Sequence, residues 1–275
     1  MESKTVIMIP ARMASTRLPG KPLADICGVP MIVHVCRRAA EAGLGPVIVA
    51  AAEEEIAQAA RAAGFRAVLT DPALPSGSDR IAAALETLDP QRQVATVVNL
   101  QGDLPTIDPA GIRKVAAALH ETGADIATLA APISDAAERD NPNVVKVIAP
   151  GLAEDPTAMA EDFVRDPGAL GEPPHFHHVG IYAYRRAALE KFVRLSPSPR
   201  ERARRLEQMR ALDNGMTIAV ARIRRAPHGV DTPADLERAR ARLGCSAAAG
   251  REDNGMQAEE STGMLSAAEQ RSRST

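Results

Sequence analysis

Ile9-Pro10-Ala11-Arg12-Met13-Ala14-Ser15-Thr16-Arg17-Leu18-Pro19-Gly20-Lys21-Pro22-Leu23 is the stretch that decides how the rest of the chain is read. It follows an apolar run over residues 5–9 that reads as the first strand of a parallel sheet. Arg12, Arg17 and Lys21 bring positive charge, and Ser15 and Thr16 bring hydroxyls. Pro19 and Gly20 rule out a regular helix and allow a tight backbone path. Cations, hydroxyls and free backbone N–H groups together suit a polyphosphate. As bare residues they also suit a solvated basic turn. The Gly-x-x-x-x-Gly-Lys-[Ser/Thr] spacing of a Walker loop is absent. The position just past a strand favours the phosphate reading, because open α/β sheets hold ligands beyond the carboxyl ends of their strands.

Outward from this loop, strand and helix alternate. Helical apolar spacing over residues 30–42 is followed by an apolar strand at 46–50, an Ala-rich helix at 53–63 ended by Gly64, and a short strand at 66–69. Ser76-Gly77-Ser78-Asp79-Arg80 opens another helix, and the β-branched run 95–100 reads as a buried strand. Asp108 and Pro109 start the next helix, and 124–129 reads as a strand. This order predicts an α/β fold, a mostly parallel, doubly wound sheet with helices on both faces. The pattern changes after residue 131. Strands are expected at 143–148, 178–184 and 217–223, and helices at 186–194, 199–212 and 233–243. Residues 150–174 read as irregular. We read one domain over residues 1–243, with a small substrate lobe within about 132–216, and a disordered tail over 244–275.

Composition narrows the function classes. The hydrophobic fraction of 45% supports a sizeable core in 275 residues. Aromatics are nearly absent, which argues against a stacking platform for single-stranded nucleic acid, and a net charge of -2 gives no footprint for DNA or RNA. No apolar run approaches the roughly 18 residues of a membrane span, and residues 1–4 lead directly into a strand without a secretory segment. Cys27, Cys36 and Cys245 form no Cys-x-x-Cys pair and no metal spacing, and their odd number points to a reducing compartment. A cytoplasmic protein is expected.

Gln101-Gly102-Asp103 directly follows the 95–100 strand, so Asp103 falls at a carboxyl end of the sheet. A carboxylate facing a phosphate loop repels a triphosphate unless a cation lies between, and Mg2+ takes a few carboxylates with phosphate oxygens and water. The alternative is an aspartate that caps a turn. Asp231, in Gly229-Val230-Asp231-Thr232-Pro233, also fits ordinary helix-start chemistry. Ser78 and Arg80 suit either a nucleotide contact or a helix cap with a solvated arginine. His175, His177 and His178 lack the spacing of a zinc site.

The loop from Arg12 to Leu23 resembles the signature loop of the 3-deoxy-manno-octulosonate (Kdo) cytidylyltransferases, also called CMP-Kdo synthetases. The resemblance runs over about residues 5–243. It implies a nucleotide-diphospho-sugar transferase type of sheet with a substrate and dimerisation lobe, a homodimer, and activation of Kdo by CTP to CMP-Kdo and pyrophosphate for lipopolysaccharide. Leu-Gln-Gly-Asp and Gly-Val-Asp-Thr-Pro resemble family motifs whose aspartates hold Mg2+, which implies that role for Asp103 and Asp231. The resemblance implies Arg12, Ser15, Arg17, Lys21, Ser78, Arg80 and Gln101 for the nucleotide, with Lys21 also catalytic beside the two aspartates. It implies Arg165, His178, Glu207 and Gln208 for the acid sugar, Glu207 and Gln208 from a helix resembling Leu-Glu-Gln-Leu-Arg.

The chain departs from the family pattern in four places, one of them Leu104 where Gln-Gly-Asp-Glu-Pro is commoner. Ala50-Ala51-Ala52 replaces Ala-Thr-Asp, Glu161-Asp162-Phe163-Val164-Arg165 keeps only Phe163 and Arg165 of an aromatic-hydroxyl-Arg segment, and Arg200, Arg202, Arg204 and Arg205 crowd one helix. Two carboxylates near an anionic sugar are unfavourable on Coulomb grounds. Alternatives therefore stay open: a cytidylyltransferase for another 2-keto acid sugar, a non-catalytic CTP-binding homologue, or a dinucleotide-fold dehydrogenase, which would need the missing Gly-x-Gly-x-x-Gly.

Overall fold

β1 (Thr5–Ala11) explains the layering by itself. The computed structural model describes residues 5–245, and in it the β1 side chains alternate between two cores. Ile7, Ile9 and Ala11 join one apolar cluster and Val6 and Met8 join the other. A strand with period 2 that is apolar on both faces needs cover on both faces. α1 (Met31–Glu41), α2 (Glu54–Ala62) and α4 (Pro109–Thr122) cover one face. α3 (Gly77–Leu88) and α6 (Arg186–Arg194) cover the other. Ile7, Met8 and Ile9 are fully buried, which is worth about 1.5–3 kcal/mol each.

Parallel pairing joins β1 to β4 (Val47–Ala51) and to β6 (Thr96–Asn99), and β4 to β5 (Arg66–Leu69). Beyond β6 the sheet continues through β11 (Phe176–Arg185), β7 (Ile126–Pro132), β12 (Ile218–Arg222) and β9 (Thr157–Met159). β12 runs parallel to β7, while β11 lies antiparallel between β6 and β7. The sheet is thus mixed but mostly parallel, with helices on both faces. The register of β11 shifts between Val179 and Tyr182. Thr128 closes that irregularity by donating to the carbonyls of Val179 (3.1 Å) and Ile181 (2.8 Å).

Several expectations need correction. The region 150–174 contains β9 and β10 (Asp162–Val164), the latter paired with β8 (Lys146–Ile148). A small hairpin of β2 (Asp25–Ile26) and β3 (Val29–Pro30) and a short α5 (Ala136–Asp140) carried no clear periodic signal. The expected helix over 199–212 is two pieces, α7 (Pro199–Arg204) and α8 (Met209–Asp213), because Arg205 takes a left-handed conformation at φ 54°. α9 (Pro233–Arg242) starts at Thr232 with a reciprocal capping box to Asp235. The odd cysteine count reads as the mark of a reducing compartment, yet Cys27 in the β2–β3 hairpin and Cys245 just past α9 form a disulfide with Cα atoms 5.2 Å apart. Spacing of 218 residues gives no pairing signal in sequence; the packing of α9 against the hairpin brings them together. Residues 5–245 form one unit. Of the expected tail, Gly244 and Cys245 are described, and 246–275 lie outside the described residues, as do residues 1–4.

Candidate active site

A cleft of about 770 Å³ opens past the carboxyl ends of β1 and β6. Arg12, Ser15, Arg17 and Lys21 line it from the loop after β1, and Gln101 and Asp103 from the turn after β6. Asp231 and Arg80 complete it. The loop closes on itself through Ser15 Oγ, which accepts from the Leu18 N–H at 3.3 Å. Gly20, at φ 67°, then turns the chain into a 3-10 turn at Lys21–Leu23. Gly102 is a close-approach glycine: a Cβ there would sit 3.2 Å from the Pro10 carbonyl. The β6 turn therefore passes directly beside the start of the loop.

Four charged side chains meet in the cleft. Lys21 Nζ donates to Asp103 Oδ2 at 2.8 Å and to Asp231 Oδ1 at 2.9 Å. Arg17 reaches Asp231 Oδ2 at 3.1 Å. Burial works against the Lys21 charge, but the two carboxylates outweigh it and its pKa is raised. The aspartates are also joined through the backbone, since the Val230 N–H donates to the Asp103 carbonyl at 2.9 Å.

Arg80 is not solvated. It is buried, donates to Thr70 Oγ1 at 2.6 Å and to the Asp71 carbonyl at 3.1 Å, and still borders the cleft. Desolvation lowers its pKa. Ser76, not Ser78, is the N-cap of α3, accepting from the Asp79 N–H. Ser78 is buried behind the cleft wall and donates to Glu207 Oε2 at 3.3 Å.

The four sugar-side residues are not gathered in this cleft. Glu207 lies in a second hollow of about 550 Å³ beside Ser76, Arg202, Arg205 and Arg210. It sits in the turn between α7 and α8 and not on a helix, a correction that follows from the break at Arg205. Burial raises the Glu207 pKa against the pull of its Ser76 and Ser78 hydrogen bonds and of Arg210. Its Oε1 is the buried side-chain oxygen with no partner among the described residues. Gln208 is buried at the start of α8. His178 is buried in β11, pairs with Thr128 Oγ1 at 3.0 Å and packs on Phe163 and Tyr182. Desolvation pushes its pKa down to about 3, so the imidazole stays neutral. Arg165 turns to the carbonyls of Pro142 and Asn143.

The departures from the family pattern explain one another. Asp162 Oδ1 is taken by Arg204 at 2.5 Å and by Arg200 at 3.4 Å, so the arginine-rich helix neutralises the added carboxylate. Ala50–Ala52 lose polar groups, but Glu53 follows them, and its Oε2 accepts from the Met13 N–H at 2.9 Å. Sequence reasoning missed Glu53, Thr128 and Tyr182. Only Glu53 had a signal, a lone step from an Ala run to a carboxylate at a strand end.

Comparison with known proteins places this geometry. A family model described as Cytidylyltransferase matches residues 6–218. A 3-deoxy-manno-octulosonate cytidylyltransferase of Parvibaculum lavamentivorans is 60% identical, covering 86% of this chain and 92% of that protein. The chain belongs to the 3-deoxy-manno-octulosonate cytidylyltransferases. A protein of the same name from Rhodospirillum rubrum is 59% identical over 87% of this chain and 95% of its own length. The solved structure of a CMP:2-keto-3-deoxy-manno-octonic acid synthetase complexed with CTP superposes with a TM-score of 0.80 at 38% identity, covering 88% of this chain and 98% of that one. A nucleotidyl transferase from Methanothermobacter, 16% identical with a TM-score of 0.56, shares the fold over 87% of this chain and 97% of its own. Among the described residues no helix is long and apolar enough to cross a membrane.

Proposed function

We propose that this family member transfers the cytidylyl group of CTP to Kdo, giving CMP-Kdo and pyrophosphate, the step that supplies the sugar donor for lipopolysaccharide. The observation that carries the reading is the cleft itself, where a cationic loop faces two carboxylates across the ends of parallel strands. The anomeric hydroxyl of Kdo attacks the α-phosphorus in line with the departing pyrophosphate. Arg12, Arg17 and Lys21 stabilise the charge that builds on the leaving group, and Ser15 holds a phosphate oxygen. Arg80 and Gln101 border the nucleoside end of the cleft, with Ser78 behind it. Glu207 is suited to sugar hydroxyls, because its buried Oε1 lacks a donor, and Gln208, His178 and Arg165 are assigned to the sugar side on the family resemblance.

Asp103 and Asp231 fit Mg2+ by donor chemistry. Both are carboxylates, both reach one cationic atom already, and no third His, Cys, Asp or Glu joins them among the described residues. Phosphate oxygens and water would fill the other positions. When bound, the ion supplies Lewis-acid polarisation of the phosphate and a lower pKa for the attacking hydroxyl. We place the reaction in the cytoplasm, where CTP is made, and expect a homodimer.

Pyrophosphate release with CTP, Mg2+ and Kdo tests the reading, with Asp103→Asn as control. Turnover is expected in the parent, with a loss of at least 100-fold in the variant. Turnover only with another 2-keto acid sugar would move the specificity, and CTP binding without turnover on any acid would remove the enzymatic reading.

A further inference from the structure

Lys21 lies between the two carboxylates that would hold a divalent cation. Its Nζ bridges Asp103 Oδ2 and Asp231 Oδ1 at 2.8 and 2.9 Å. The lysine does not bring the carboxylates together. The hydrogen bond from the Val230 N–H to the Asp103 carbonyl joins the two segments, the Thr232–Asp235 capping box fixes the chain just after Asp231, and Gly102 is wedged against the Pro10 carbonyl. Two carboxylates held so close by backbone repel one another unless a cation stands between them. Here that cation belongs to the chain. With Arg17 on Asp231 Oδ2, the two carboxylates and two cations carry no net formal charge. A dication added to this group alone meets uncompensated positive charge, whereas one that enters with a triphosphate does not.

We propose that Lys21 is an exchangeable internal counter-ion. In the nucleotide-free protein it bridges Asp103 and Asp231 and keeps a divalent cation out. When a nucleoside triphosphate fills the cleft, the lysine moves to phosphate oxygens and vacates the carboxylates. The divalent cation therefore binds with the nucleotide and not before it. A lysine suits this role better than an arginine would, because its ammonium is a compact point charge on a flexible four-carbon stem. The proposal rests on the reading that Asp103 and Asp231 are the metal-holding pair.

Mn2+ binding followed by electron paramagnetic resonance, without turnover, tests it. The parent protein is expected to bind Mn2+ weakly alone and at least tenfold more tightly with a non-hydrolysable CTP analogue. Lys21→Met is expected to bind Mn2+ without nucleotide at least tenfold more tightly than the parent, while Lys21→Arg, which keeps a cation there, stays close to it. Lys21→Gln repeats the measurement if the methionine variant does not fold. A parent that binds Mn2+ equally well with and without the analogue overturns the proposal, as does a Met or Gln variant that gains no affinity. Asp103→Asn separates the two levels. If it leaves Mn2+ binding in the presence of the analogue unchanged, the carboxylate reading fails and the lysine proposal with it. If it abolishes that binding and only the gain in the Lys21 variants is missing, the carboxylate reading stands and the lysine proposal alone falls.

Discussion

Glu207, in the hollow beside Arg202 and Arg210, holds a carboxylate where burial works against its charge. Its Oε1 is buried without a donor among the described residues, and burial raises its pKa above the ordinary glutamate value. The sign of the effect on folding follows directly. The native state holds this proton more tightly than the unfolded chain does, so below the unfolded pKa there is no penalty. The penalty grows as pH rises through the raised pKa, because there the native protein must carry a buried charge. Glu207→Gln, which keeps the shape and drops the charge, is therefore expected to raise Tm by roughly 2–4 °C at pH 7.5, the shift that about 1 kcal/mol gives in a domain of this size, and to change it little at pH 4. Thermal scans at the two pH values check this. The same variant is expected to raise the KM for Kdo, since a sugar hydroxyl loses its strongest acceptor. At this scale the sequence was most informative where charge and motif coincide. Lys21, Asp103 and Asp231 stand out because each is an ionisable group within two residues of a glycine, in a turn or at a helix start. Their mutual contacts are not readable, since nothing in sequence relates positions 82 and 210 residues apart. For Arg80 the sequence leaves nucleotide contact and a solvated helix start both open, and its burial against Thr70 and Asp71 is visible only in the structure.

Among the elements, one hydrogen bond ties the loop after β1 to the start of α2 beside the cleft. The Met13 N–H is held by Glu53 Oε2 at 2.9 Å, across 40 residues. Glu53 is also the N-cap residue of α2, although its side chain does not cap that helix. The carboxylate instead fixes the peptide that follows Arg12 and faces Arg80, whose charge it favours. Glu53→Ala frees the loop without touching a carboxylate of the metal-holding pair. The expected result is a 5–20-fold rise in the KM for CTP, equal to about 1–2 kcal/mol for one charge-assisted hydrogen bond, with kcat reduced less. Glu53→Gln keeps an acceptor and is expected to recover most of the loss. Steady-state kinetics with varied CTP decide it: an equal effect of both variants would mean that charge near Arg80 matters and not the anchor. The elements themselves were legible wherever periodicity was long, as in α1, α4 and β1. They were lost where tertiary contacts override it. The charged run 199–212 has helical composition throughout, yet Arg205 adopts αL and the chain breaks so that Arg210 can stack over Phe192 and pair with Glu201. β11 was legible as a strand, but its antiparallel place between β6 and β7 was not, because side-chain alternation carries no direction.

For the whole molecule, the Cys27–Cys245 disulfide joins the beginning and the end of the described chain, and its position gives it a functional consequence. Cys27 lies a few residues past the Lys21 turn, and Cys245 lies just past α9, the helix that begins two residues after Asp231. α9 otherwise rests on a small cluster of Ile26, Met31, Val230, Leu236 and Ala239, and on Arg240, which donates to the Asp25 carbonyl at 2.7 Å. The bond therefore backs the element that carries one of the two carboxylates against the element that carries the lysine. Cysteine composition pointed to free thiols because cytosolic chains rarely keep disulfides, and spacing alone cannot contradict that. Thiol counting does: the denatured, unreduced protein is expected to show one reactive thiol, Cys36, and three after reduction. In the native protein Cys36 is buried and its pKa is pushed up to about 12, so it is expected to stay silent. Cys245→Ser removes the tie and leaves the Ile26–Leu236 packing in place. A disulfide is typically worth about 2–4 kcal/mol, which in a domain of this size corresponds to a Tm lower by roughly 4–16 °C. Dithiothreitol is expected to lower the Tm of the parent to that of the variant and to leave the variant unchanged. A parent protein that already shows three thiols before reduction, with no response of its Tm to reductant, would mean that the two sulfurs lie close but unbonded, and α9 would then be held by the apolar cluster and Arg240 alone.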